Sequence, residues 1–136
     1  IVKEKLLELL NNSYSPYSNY AVSAILVTKD GKGFYGVNVE NASYGAAICA
    51  ERSAIVSAIS AGYKRYDFKE LNIMVSSGKI GMPCFLCRQV ISELFDKDAI
   101  IRCYATTGEY KEYKVEDICP YPFGSDDLKW NVDLLV

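Results

Sequence analysis

The sequence has no histidine. That absence excludes Ser-His-Asp and Cys-His nucleophile pairs, histidine metal sites, and the usual proton carrier near neutral pH. Chemistry falls to carboxylates, thiols, tyrosines, lysines, or a metal held by sulfur and oxygen. An excess of charge of one sign is also missing: 15 Lys and Arg stand against 17 Asp and Glu, a net charge of -2. A chain that grips a nucleic-acid backbone concentrates cationic surface, so no nucleic-acid partner is expected. No run approaches the roughly 18–20 apolar residues of a membrane span, and no charged-then-apolar leader is visible, so no membrane association is expected. Charged residues make up only 24% and hydrophobic ones 50% of 136 residues, which excludes disorder and suits one core. The expectation is a single domain over residues 1–136.

What is present in an odd number is cysteine: Cys49, Cys84, Cys87, Cys103 and Cys119. A small secreted scaffold pairs its cysteines evenly and has a poorer core than this one. The count points to a reducing compartment, the cytoplasm, and to metal-binding or catalytic thiols.

Leucines at helical spacing predict a helix over Val2–Leu10, followed by a tyrosine-rich loop, Ser13–Tyr20. Ala21–Thr28 reads as a strand, turned by Lys29-Asp30-Gly31-Lys32 into a second strand from Gly33 to about Val39. After a loop over Glu40–Ala47, a helix is expected from Ile48 to Ala61, closed by Gly62. Leu71–Ser76 is apolar without alternation, as in a strand covered on both faces. Cys84–Phe95 predicts a helix, Ala99–Tyr104 a strand, and Tyr113–Val115 a last short strand. From Asp117 onward the chain reads as loop. This order implies a three-layer α/β/α sandwich with a mixed five-stranded sheet. Small residues along the second helix (Ala50, Ala54, Ser57, Ala58, Ala61) suit packing against its own sheet or the close approach of another helix.

Two segments carry the chemistry. Cys84-Phe85-Leu86-Cys87 places two thiols on one face of a helix start, where the positive end of the dipole stabilises thiolates. Alone, this spacing serves metal ligation, thiol redox work, or neither. Cys49-Ala50-Glu51-Arg52 also begins a helix. Two such N-termini side by side gather three thiolates around one Zn²⁺ and leave the fourth tetrahedral position for water, the pattern of a catalytic site. Glu51 by itself is an ordinary first-turn carboxylate; beside an open metal position it can carry a proton from water to a substrate nitrogen. Arg52 is placed to hydrogen-bond a ligand sulfur and offset its charge. A structural zinc module would instead close the fourth position. Cys103 and Cys119 are expected to stay outside the site.

Cys-Ala-Glu followed by Pro-Cys-x-x-Cys resembles the zinc-dependent cytidine deaminase family. The resemblance extends to YSPYSNY (Tyr14–Tyr20), NVENAS (Asn38–Ser43), Tyr44-Gly45, ICAERS (Ile48–Ser53), PCFLCRQ (Pro83–Gln89) and PYPFGSDDL (Pro120–Leu128), matching the small free-nucleoside deaminases in order. It implies Cys49, Cys84 and Cys87 as zinc ligands and Glu51 as proton shuttle. It implies that Asn38 and Glu40, with Val39 between them, hold the ribose 3′-hydroxyl. Tyr20 stands where the family usually has a Phe near the base, and the Ala50 N–H would address the pyrimidine carbonyl. It further implies a homotetramer in which Ala42, Tyr44 and Phe123 contribute to sites shared with neighbouring subunits. The activity implied is hydrolytic deamination of cytidine and 2′-deoxycytidine in pyrimidine salvage; an aminopyrimidine antibiotic such as blasticidin S is the alternative substrate. Besides Tyr20, three residues depart from the pattern: Phe85 and Leu86 replace small residues, and Ser23 replaces a glycine.

Overall fold

The computed structural model of the chain describes residues 1–129. Leucine spacing builds α1 over Val2–Leu10, with the bounds expected. The apolar run after the tyrosine loop is β1, Val22–Thr28, which turns through Gly31 at φ +89° into β2, Gly33–Val37. Then come α2 (Ala50–Ser60), β3 (Phe68–Val75), α3 (Phe85–Leu94), β4 (Ile100–Tyr104), β5 (Tyr110–Lys114) and a short α4 (Val115–Ile118). Single turns of 3-10 helix occur at Tyr44–Ala46 and Ser125–Leu128.

The strands form one sheet in the order β2-β1-β3-β4-β5. β1 is antiparallel to both β2 and β3, β3 is parallel to β4 across α3, and β4 and β5 form an antiparallel pair. Side-chain alternation divides the sheet between two cores. Ala24, Leu71, Ile73 and Ile101 pack with Ala54, Ile55 and Ala58 of α2 and Ile91 of α3. Ile25 and Met74, on the other face, pack with Leu6 and Leu9 of α1. The three-layer α/β/α arrangement with a mixed five-stranded sheet is therefore present. No helix among the described residues is long and apolar enough to cross a membrane.

Several bounds shift for identifiable reasons. Ile48 and Cys49 precede α2 rather than joining it, because Ile48 exchanges two backbone hydrogen bonds with Val39. Correspondingly, β2 ends at Val37 and Val39 forms isolated bridges to Tyr14 and Ile48. The last strand is longer and earlier than expected, Tyr110–Lys114, because an exposed edge strand needs no apolar pattern. The expected loop after Asp117 is interrupted: α4 opens where the Asp117 carboxylate accepts the Lys114 N–H at 3.0 Å. The part of that tail beyond residue 129 lies outside the described residues.

The small face of α2 packs against its own sheet: Ala50, Ala54 and Ala58 are fully buried, while Ser57 and Ala61 are exposed. Gly36 of β2 sets that distance. A Cβ there would stand 2.2 Å from the Ala50 carbonyl oxygen and 2.5 Å from the Ala54 nitrogen, so strand and helix backbones touch. Ser23 also finds its reason: fully buried, it donates to the Leu6 carbonyl at 2.9 Å and fastens β1 to α1. Gly36→Ala is expected to lower stability by about 2 kcal/mol, as overpacking does; urea unfolding measures it, and a loss under about 0.5 kcal/mol contradicts the contact.

Candidate active site

Because β1 opposes both neighbours, β2 and β3 end at the same edge of the sheet. The chain leaves that edge after Val37 and Val75 and returns as α2 and α3. Cys49 and Cys84 occupy the two N-cap positions with extended backbone, φ −76° and −66°, and neither side chain caps its helix. Ser, Thr, Asp or Asn usually stands there. With cysteine the cap bond is given up and the sulfurs turn toward one another.

The Sγ atoms of Cys49 and Cys84 are 3.7 Å apart, those of Cys84 and Cys87 3.6 Å. All three lie within 4.8 Å of one another. Tetrahedral zinc with Zn–S bonds of about 2.3 Å separates its sulfurs by about 3.8 Å, so the donor set fits this metal. Hydrogen bonding with Cys87, then with Arg52 and Cys84, holds the Cys49 thiol down to about 5. Cys87, beside Cys49 and buried, is pushed up. Arg52 Nη2 stands 3.5 Å from the Cys49 sulfur, as its place in the sequence suggested.

Glu51 is not the exposed first-turn carboxylate it would be on its own. It is only 4% exposed. Burial pushes its carboxyl up to about 7, and the nearby Cys49 charge acts in the same direction. A buried acid balanced near neutral pH can both take and return a proton.

Of these groups Cys49, Glu51, Arg52 and Cys84 line a cavity of about 460 Å³. Its wall includes Tyr20, Asn38, Glu40, Tyr44, Cys49, Ala50, Glu51, Arg52 and Cys84. The Tyr20 phenol reaches Gly81, where a Cβ would stand 2.9 Å from its oxygen. Val39 and Ala42 are not in the lining. Tyr44 lines the chain's own cavity, is 77% exposed, and meets Tyr17 edge-on at 6.1 Å. Phe123 lies in a separate cleft with Phe85 and Arg88, its carbonyl accepting Gln89 Nε2 at 2.8 Å. Cys103 is buried in the sheet core and the Cys119 thiol donates to the Arg88 carbonyl at 3.4 Å; neither joins the cluster.

Other contributors had no role assigned to them in the motif reading. Leu86 and Met82 line the cavity, so the bulk at position 86 does touch the pocket, whereas Phe85 lies under the Arg88 guanidinium at 4.4 Å. Arg88 Nε donates to the Pro83 carbonyl at 2.8 Å and Nη1 to the Ile118 carbonyl at 3.2 Å, bracing the turn that presents Cys84. An arginine aimed at its own backbone cannot be told from a solvated one in sequence. Arg52→Ala is expected to weaken zinc binding at least about tenfold by removing the cation beside Cys49; chelator competition measures it, and unchanged affinity contradicts that role.

The family model described as the cytidine and deoxycytidylate deaminase zinc-binding region matches residues 2–103, which include all three clustered thiols. A cytidine deaminase of Halalkalibacterium halodurans is 35% identical over 128 residues, covering 94% of this chain and 95% of its own length. The crystal structure of a cytidine deaminase from Burkholderia pseudomallei aligns with a TM-score of 0.84 at 39% identity, over 88% of this chain and 94% of that one. One from Mycobacterium tuberculosis aligns at 0.76 and 31% identity, over 90% and 94%. A zinc-binding family and a zinc-compatible donor set name the same cofactor, Zn²⁺. By sequence and by fold, the chain belongs to the cytidine and deoxycytidylate deaminase zinc-binding family.

Proposed function

We propose that the chain deaminates cytidine and 2′-deoxycytidine hydrolytically, giving uridine and 2′-deoxyuridine and releasing ammonia, a step of pyrimidine salvage. The observation that carries this is the buried Glu51 carboxyl beside three thiols, in a cavity that also takes in Asn38 and Glu40. A volume of about 460 Å³ is within the range that encloses a small ligand.

Zinc held by Cys49, Cys84 and Cys87 supplies Lewis acidity toward water. Glu51 Oε takes a proton from the water whose oxygen adds to C4 of the ring, and gives it to N3. A second proton passes through Glu51 to the exocyclic amino nitrogen. The C4–N bond breaks, ammonia leaves, and C4 keeps the oxygen as a carbonyl; one water is consumed per ammonia released. Ala50 offers a first-turn N–H, unpaired within its helix, to the pyrimidine carbonyl. Tyr20 packs against the base, while Asn38 and Glu40 hold the 3′-hydroxyl. Val39 contributes through its backbone, which fixes Ile48 in the cavity wall. Arg52 offsets thiolate charge.

The charge of the lining supports a nucleoside over its phosphate: Glu40 is anionic, and Arg52 is engaged with Cys49. The relatives reported above are named cytidine deaminases and lend no support to a blasticidin-type substrate. In the same proposal, residues 1–136 form one catalytic domain of a homotetramer. Its sites are shared through Ala42, Tyr44 and Phe123. The apolar side chains of Tyr44, Phe85, Leu86 and Phe123, 56–77% exposed, support burial against other copies. Five free cysteines support a cytoplasmic location.

Glu51→Gln keeps the shape but carries no proton. It is expected to cut ammonia release from cytidine by at least about a thousandfold while zinc content and thermal unfolding stay unchanged; turnover within about tenfold of the original contradicts the proton role. Chelator treatment is expected to abolish the absorbance change of cytidine and added zinc to restore it; activity that survives metal removal contradicts the proposal.

A further inference from the structure

The loop between α1 and β1 is tied to the segment after β2 through polar atoms. The Tyr14 N–H donates to the Asn38 carbonyl at 3.1 Å, and the Glu40 N–H to the Tyr14 carbonyl at 2.8 Å. Three donors of this loop then converge on one carboxylate. The N–H groups of Tyr17 and Ser18 reach Glu40 Oε1 at 3.0 and 3.2 Å, and Ser18 Oγ donates to Oε2. The same Ser18 oxygen accepts the Tyr20 N–H at 3.0 Å. On its other side, the Tyr20 carbonyl accepts Asn38 Nδ2 at 2.8 Å. Asn19 between them stands at φ +57°, a conformation asparagine tolerates. One hydroxyl thus joins a carboxylate of the cavity to the backbone of the aromatic residue that lines it.

A glutamate side chain on a surface samples many rotamers, and fixing it costs entropy. Here the donors fix it before any ligand arrives, which is preorganisation. They also hold the Glu40 carboxyl below its usual value, Ser18 foremost. An ionised carboxylate accepts about four hydrogen bonds. The three donors leave capacity for one more, and a ligand hydroxyl can use it.

We propose that Ser18 is a positioning residue for the sugar: its hydroxyl aims the Glu40 carboxylate at the ribose 3′-hydroxyl and sets the backbone of Tyr20. This role presupposes the cytidine activity proposed above. It places Ser18 in nucleoside binding and in discrimination for the hydroxyl, not in proton transfer at Glu51.

Steady-state kinetics of the full chain on cytidine and 3′-deoxycytidine test it. Ser18→Ala is expected to raise KM for cytidine about tenfold, the loss of a hydrogen bond to a charged group, with kcat changed by less than about twofold. Preference for cytidine over 3′-deoxycytidine, read as the ratio of kcat/KM values, is expected to fall by a similar factor. Ser18→Thr keeps the hydroxyl and is expected to restore both. Unchanged KM and preference in Ser18→Ala, a loss confined to kcat, or equal losses in the Ala and Thr variants each overturn the proposal. If the unaltered protein fails to deaminate cytidine, the proposed function itself falls and this role with it; turnover that is indifferent to Ser18 overturns this role alone.

Discussion

Two helix N-termini meet at one edge of one sheet, and the site depends on that meeting. Were the Cys49 and Cys84 sulfurs, 3.7 Å apart, both charged, they would repel by about 4.5 kcal/mol at an effective dielectric near 20. A trio of sulfurs is tolerable only where positive potential is already in place. The ends of α2 and α3 supply part of it and the Arg52 guanidinium, which helps hold the Cys49 thiol down, another part. Zinc completes the balance. The topology makes the meeting possible, since β1 sends β2 and β3 to the same edge, and Gly36 lets α2 lie directly against β2.

The same burial that shields the thiols changes Glu51. A carboxyl on the first turn of an exposed helix would be ionised and bland. On a helix whose Ala50, Ala54 and Ala58 are sealed against the sheet, it sits balanced between its two protonation states. Packing, not the residue type, tunes the acid. The part of the cavity around Glu40 works by the opposite means: its carboxylate is held ionised by loop donors, suited to gripping a hydroxyl rather than moving protons. In the proposed reaction the two carboxylates of this one cavity take separate tasks, divided by burial and hydrogen bonding.

Much of this was legible in the sequence, where a residue's role follows from local spacing. α1 shows its leucines, and β3 the largely apolar stretch Leu71–Val75, though not its start at Phe68. The thiols at positions 49, 84 and 87 show themselves by helix-start spacing. Illegible features depend on what lies across space. Nothing in Gly-Phe-Tyr-Gly-Val marks Gly36 rather than Gly33 as the point where two backbones touch. Ser23 looks like a departure until the Leu6 carbonyl is found above it, and Ser18 looks like turn material until Glu40 is found beside it. The edge strand β5 carries too little apolar pattern for periodicity to place it. Motif spacing reports the clustered thiols; tertiary structure alone reports what holds them still.

The central claim is that one zinc is held by three sulfurs from two helix ends, with the fourth position left open by the protein. Zinc K-edge absorption on the purified protein tests it most directly. The expected spectrum has three sulfur neighbours at about 2.3 Å and one lighter neighbour, with one zinc per chain. Four sulfur neighbours, or fewer than three, would contradict the account.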